Sequence, residues 1–172
     1  GVMSEEMLFR DGLPDEDKNS GYRGASAAAA AGISYRQLDY WARTGLVMPT
    51  VQDAHGSGSQ RLYSFRDILV LKLVKRLLDL GVSLQQIRNA VDTLRSTGVE
   101  DLAKITLMSD GASVYLCTSQ DEVIDLLGQG QGVFGIAVGR VLREVETSLV
   151  EMGPEELTRV DELAARRAQR TA

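Results

Sequence analysis

Gly32-Ile33-Ser34-Tyr35-Arg36-Gln37-Leu38-Asp39-Tyr40-Trp41-Ala42-Arg43-Thr44-Gly45-Leu46 is the stretch on which the fold turns. Ser34 is a good N-cap for a helix running to Thr44, and Gly45 is suited to the left-handed stop that ends it. Leu38, Trp41 and Ala42 share one face of that helix, while Arg36, Gln37, Tyr40 and Arg43 lie round the other sides. Just upstream, Ala25 to Ala31 reads as a short helix of high propensity and little bulk, ended by Gly32. Two short helices joined by a tight turn are therefore expected.

Downstream, Leu46 to Tyr63 carries Pro49 and the loop Asp53-Ala54-His55-Gly56-Ser57-Gly58-Ser59 between short β-prone pieces, the pattern of a two-stranded wing. Ser64 with Asp67 forms a capping box for a long helix with Ile68, Leu71, Val74, Leu77 and Leu78 inward, and Gly81 stops it. Ser83 with Gln86 forms a second capping box, starting a helix whose inward residues are Ile87, Ala90, Val91 and Leu94. After Gly98 the pattern changes. Val99 to Lys104 reads as one helical turn, and Ile105 to Leu107 and Ser113 to Leu116 flank the hairpin signal Asp110-Gly111. Ser119 with Glu122 caps a short helix to Leu127. The glycine-rich run 128–132 leads into the apolar stretch Val133 to Val138 and an amphipathic helix bearing Val141, Leu142, Val145 and Leu149.

The chain has 172 residues and a net charge of −5. Residues 21–95 hold ten Lys and Arg against five Asp, a net of +5 that leaves −10 for the remainder. A basic segment between acidic ones suggests a nucleic-acid module joined to something that is not one. One cysteine and one histidine cannot build a zinc site within one chain, so no metal or cofactor is expected. No apolar run has transmembrane length and no signal peptide is evident, which favours the cytoplasm, at the nucleoid, and no membrane partner. His55 has no motif-placed partner and Cys117 no catalytic signature, so an enzyme is not expected. Gly130-x-Gly132-x-x-Gly135 fits a dinucleotide-binding pattern literally, but it follows a helix and precedes a β-like run; a linker into a strand is the better reading.

The order of two short helices, a wing and two more helices resembles the MerR-family DNA-binding domain. Gly32 to Leu46 is similar to that family's turn and recognition helix, with an aromatic pair and a closing Gly-Leu. Arg61-Leu62-Tyr63-Ser64 resembles the wing's Arg-x-Tyr and following cap, and Leu80-Gly81-Val82-Ser83-Leu84-Gln85-Gln86-Ile87 the link into the fourth helix. The family usually has Arg where Asp39 stands and Glu where Ala42 stands, and its first helix is usually bulkier. The remainder resembles a subgroup of actinobacterial MerR-like regulators associated with chromosome replication and cell division, where a segment like Gln131 to Val138 recurs.

The resulting expectation is a mainly α fold, a winged helix-turn-helix followed by a small mixed α/β region. Residues 1–20 would be a disordered acidic arm, 21–97 the DNA-binding domain, 98–152 a dimerisation or regulatory region, and 153–172 a charged helical tail. The resemblance implies a transcription regulator that distorts promoter DNA as a homodimer on palindromic sites, with RNA polymerase as a further partner. Alternatives are a DNA-bending accessory protein and a regulator with an effector site in the C-terminal region. In the recognition helix, Ser34, Tyr35, Arg36 and Gln37 form the half that enters the major groove. There Arg36 suits guanine and Gln37 adenine. Tyr40 and Arg43, a turn later, and Arg23 and Arg61 suit phosphate, with Ser26 a plausible addition. Trp41 is expected in the core. Arg61 and Tyr63 alternate along the wing strand and so point to one face. The resemblance makes that the DNA side, with Arg61 toward phosphate or the minor groove, and the rival reading packs Tyr63 against the next helix. Lys72, Lys75 and Arg76 read as a solvated face. The dimer contact falls after Gly98, with Val133 to Val138 and the Val141 to Leu149 face as candidates and intramolecular core as their rival.

Overall fold

The computed structural model describes residues 9–10, 13–14, 19–53, 60–129 and 134–160. Strands β1 (Phe9–Arg10) and β2 (Leu13–Pro14) pair with each other, and β3 (Ser20–Arg23) leads into helix α1 (Gly24–Ala31). Helix α2 (Tyr35–Arg43) follows. Strand β4 (Leu62–Tyr63) precedes the long helix α3 (Phe65–Asp79) and helix α4 (Leu84–Ser96).

Local chemistry sets these boundaries. Gly32 adopts φ 74° and Gly45 φ 77°, closing α1 and α2 with the left-handed conformation that only glycine takes without strain. Ser64 accepts from the Asp67 amide while the Asp67 carboxylate accepts from the Ser64 amide, a complete box; at Ser83 only the serine half of the expected box is found, Ser83 Oγ accepting from the Gln86 amide. Helix α3 is the structural axis. Ile68, Leu69, Val70, Leu71, Leu73, Val74 and Leu77 are all buried, so it is covered on nearly every side. Helices α1 and α4 pack against it. The buried alanines of α1 (Ala27, Ala28, Ala30, Ala31) let two backbones approach closely where a bulkier helix would stand off. Leu38 and Trp41 hold α2 in the same core, where burial of a leucine contributes about 1.5–3 kcal/mol.

The second region starts with the single turn α5 (Val99–Leu102) and continues as a three-stranded antiparallel sheet. Central β5 (Thr106–Ser109) pairs with β6 (Val114–Cys117) and with β7 (Phe134–Ala137). The Asp110-Gly111 turn between β5 and β6 is held by Asp110 Oδ1, which accepts from the amides of Ala112 and Ser113. Helix α6 (Gln120–Leu127) lies between β6 and β7, and its Ile124 and Leu127 are exposed. Of the literal glycine pattern, Gly135 falls in β7, whereas Gly130 and Gly132 lie outside the described residues.

Helix α7 (Val138–Met152) packs on α3 and α1. Its Val141, Leu142, Val145 and Leu149 are buried within this chain, so the intramolecular reading of that face holds. Lys72 and Arg76 reach Glu144 of α7 at 3.3 and 2.6 Å, joining the two regions where a solvated face was expected. A second difference concerns the tail. Pro154–Glu156 forms a 3-10 turn and Leu157–Arg159 forms β8, an extended strand where a helix was expected; residues 161–172 lie outside the described residues. Strand β8 pairs with β3 in the sheet order β4-β3-β8, with Ser20 opposite Arg159 and Tyr22 opposite Leu157. This pairing is long-range and only three residues long, so no local signal announces it. Most of the arm expected to be disordered, 1–20, is likewise outside the described residues, but within it Phe9–Arg10 pairs with Leu13–Pro14 and Ser20 already belongs to β3.

Candidate nucleic-acid interface

The surface around α2 gathers most of the expected site residues. Its start is a complete capping box: Ser34 Oγ accepts from the Gln37 amide and Gln37 Oε1 accepts from the Ser34 amide, both at 3.1 Å. The carboxamide oxygen that a two-point adenine contact needs is thus already engaged. Gln37 is half-buried and Ser34 is a cap. The Ser-x-x-Gln spacing that signals this box was legible in the chain.

Tyr35 and Tyr40 stand outward at 59% and 57% exposure, which is unusual for tyrosines that have a core within reach. Arg36 is exposed, and its side chain makes no hydrogen bond or ion pair among the described residues. Arg43 is 63% exposed, and its Nε donates to Asp39 Oδ2 at 2.8 Å. The other oxygen of Asp39 accepts from Arg61 Nη1, also at 2.8 Å. Arg61 is half-buried, with Asp53 3.8 Å from its Nε. Hydrogen bonds from Arg61 and Arg43 hold the Asp39 carboxyl below the usual carboxylate range. Burial opposes the charge of Arg61, but Asp39 and neighbouring charges outweigh it and the guanidinium pKa moves up. Asp39 thus joins two cationic side chains of the surface, a role that sequence reasoning missed. Its i,i+4 spacing to Arg43 was readable; its meeting with Arg61 depends on tertiary structure.

The loop before β4 is tied at its base. Gln52 and Leu62 exchange backbone hydrogen bonds, Gln52 Nε2 donates to the Gln60 carbonyl, and Thr50 donates through both its amide and hydroxyl to Asp67 Oδ2. The expected loop tip, with His55, lies outside the described residues.

Two expectations are corrected here. Tyr63 has no solvent exposure and sits in the hydrophobic core, so of its two readings packing is the one found; burial also raises its phenol pKa. The alternation argument failed because β4 is only two residues long and both Leu62 and Tyr63 are covered. Ser26 donates to Glu156 at 2.7 Å and so belongs to the tail contact. Arg23 flanks α1 half-buried, and its Nε makes no hydrogen bond among the described residues. Among the described residues, no group of His, Cys, Asp and Glu could hold a metal ion, and no helix is long and apolar enough to cross a membrane.

Comparison with known proteins agrees with this geometry. Residues 22–94 match the family described as MerR HTH family regulatory proteins, a span that begins in β3 and ends in α4. An uncharacterized HTH-type transcriptional regulator of Mycobacterium tuberculosis is 60% identical over 99% of this chain and 78% of its own length. One from Mycobacterium bovis matches to the same extent. A heavy metal-dependent transcription regulator of Rhizobium meliloti is 33% identical over 38% of this chain and 43% of its own length. The capped, outward-facing second helix and the near full-length likeness agree, and the chain belongs to the MerR HTH family of DNA-binding transcription regulators.

Proposed function

We propose that this protein is a sequence-specific regulator that binds palindromic promoter DNA as a homodimer through α2 and the loop preceding β4, which acts as a wing. The supporting observation is the outer side of α2, where Arg36 and two tyrosines face solvent with no side-chain hydrogen bond or ion pair among the described residues, while the opposite side is sunk in the core. Tyr35 and Arg36 enter the major groove, with Arg36 forking onto guanine O6 and N7. Gln37 reaches a base through Nε2 only. Tyr40, Arg43, Arg61 and Arg23 serve phosphate, fixing register without reading sequence. Ser34 acts by capping the helix whose N-terminal amides face the DNA.

One module of this size buries roughly 600–1,000 Å² on DNA, which is modest for tight specific binding, and a two-fold dimer doubles it. With the apolar face of α7 used inside the chain, the dimer contact falls on other surfaces of residues 98–160. On this reading the dimer distorts promoter DNA, as the family resemblance implies, and RNA polymerase is the party that senses the deformation.

Selection of bound duplexes from a random pool tests the reading. The wild type should enrich a palindrome, whereas Arg36→Ala should keep its melting temperature and lose preference at a guanine position by about 1–3 kcal/mol. Enrichment of no common sequence by the wild type would refute it.

A further inference from the structure

We infer that Asp39 is a positioning residue of the DNA-binding surface, a staple that sets the spacing of Arg43 on the recognition helix and Arg61 beside the wing. The inference rests on the DNA-binding reading of α2 above.

Both carboxylate oxygens of Asp39 are spoken for, one by each arginine, at 2.8 Å. The two bonds span separate elements. Arg43 is four residues along the same helix, whereas Arg61 comes from the segment 22 positions downstream, next to β4. A single side chain therefore links the recognition helix to the base of the loop. Arg43 gives only Nε to this bond, and its Nη1 and Nη2 make no hydrogen bond among the described residues. The outer fork of that guanidinium stays available to a phosphate in an orientation fixed from behind. A free arginine must lose rotamer freedom on binding; this one is already ordered. The cost is a negative charge on a surface that approaches phosphates, which weakens attraction to every duplex alike. An acid at that place is understandable if ordering outweighs attraction at the correct site but not elsewhere.

This makes the two explanations of Asp39 differ in sign. If Asp39 were only a charge, Asp39→Asn would strengthen binding to specific and random duplexes by the same factor. The staple instead requires the substitution to weaken binding to the selected palindrome by at least about fivefold, the scale of one good recognition contact, while random duplex binds equally or more tightly. The ratio of the two dissociation constants is the readout, measured on the full chain at one fixed salt concentration. Nuclear magnetic resonance of the DNA-free protein is the second measurement. The Arg43 Nε–H proton should exchange slowly in the wild type and at the rate of a solvated arginine in Asp39→Asn. A parallel rise in both affinities, an unchanged ratio, or identical Nε–H exchange in the two proteins would overturn the staple. A wild type without preference for any duplex would instead remove the DNA-binding reading beneath it, and the staple along with it.

Discussion

Asp67→Ala should be among the most damaging single substitutions outside the hydrophobic core. The carboxylate is 2% exposed, and its Oδ2 accepts from the Thr50 amide at 2.8 Å, the Thr50 hydroxyl at 2.7 Å and the Ser64 amide at 2.9 Å. Truncation leaves two part-buried backbone N–H groups without an acceptor, at about 1–3 kcal/mol each, and removes half of the α3 capping box. The Thr50 hydroxyl recovers little, because among the described residues its other partner is Ser64 Oγ at 3.4 Å. Water reaching the exposed Thr50 side lowers the sum, so the expected loss is about 2–4 kcal/mol. With a urea slope of roughly 2 kcal/mol/M, the midpoint should fall by about 1–2 M at unchanged slope. Asp67→Asn keeps one acceptor oxygen and should recover about half of that loss. A loss for Asp67→Ala within about 0.5 kcal/mol of wild type, the range of an ordinary surface change, would refute the reasoning.

Tyr63→Phe should stabilise the protein by about 1 kcal/mol, because its buried hydroxyl has no hydrogen-bond partner among the described residues, and raise Tm by about 2–4 °C. DNA affinity should not change; a clear loss would return Tyr63 to the interface. Arg43→Ala should flatten the logarithmic salt dependence by about one unit, as expected for one phosphate contact, and weaken random duplexes by that contact and the selected palindrome by more, since the orientation set by Asp39 is lost with it. An unchanged slope in titrations across salt concentrations would remove Arg43 from the backbone contacts.

What could be read from the residues was local. Serine caps at 34, 64, 83 and 119, positive-φ glycines at 32, 45, 81 and 111, and the inward faces of α3, α4 and α7 all follow from interactions within about four residues. Whatever depended on distant meetings was not legible. Nothing near Leu157 announces that it will lie beside Tyr22, and nothing near Arg61 announces Asp39. Tyr63 shows the same limit from the other side. Period-two reasoning presumes a strand with one open face, whereas β4 is covered on both. Gln37 shows a different limit, since one side chain suited two tasks and the capping bond occupies the oxygen that a two-point adenine contact needs.

The return of β8 to β3 bears on how the DNA-binding unit can be handled in isolation. A fragment ending at residue 97 would contain every part of the family match, yet its sheet would lack a third strand and β3 would be left with bare amides and carbonyls along one side. Such an unpaired edge invites another chain to add itself. The Ser26–Glu156 bond, spanning 130 positions, would vanish in the same cut. Excision at the apparent border thus leaves the longest strand of this sheet as an open edge, and a hinge placed after residue 160 respects the architecture better than one placed at 97.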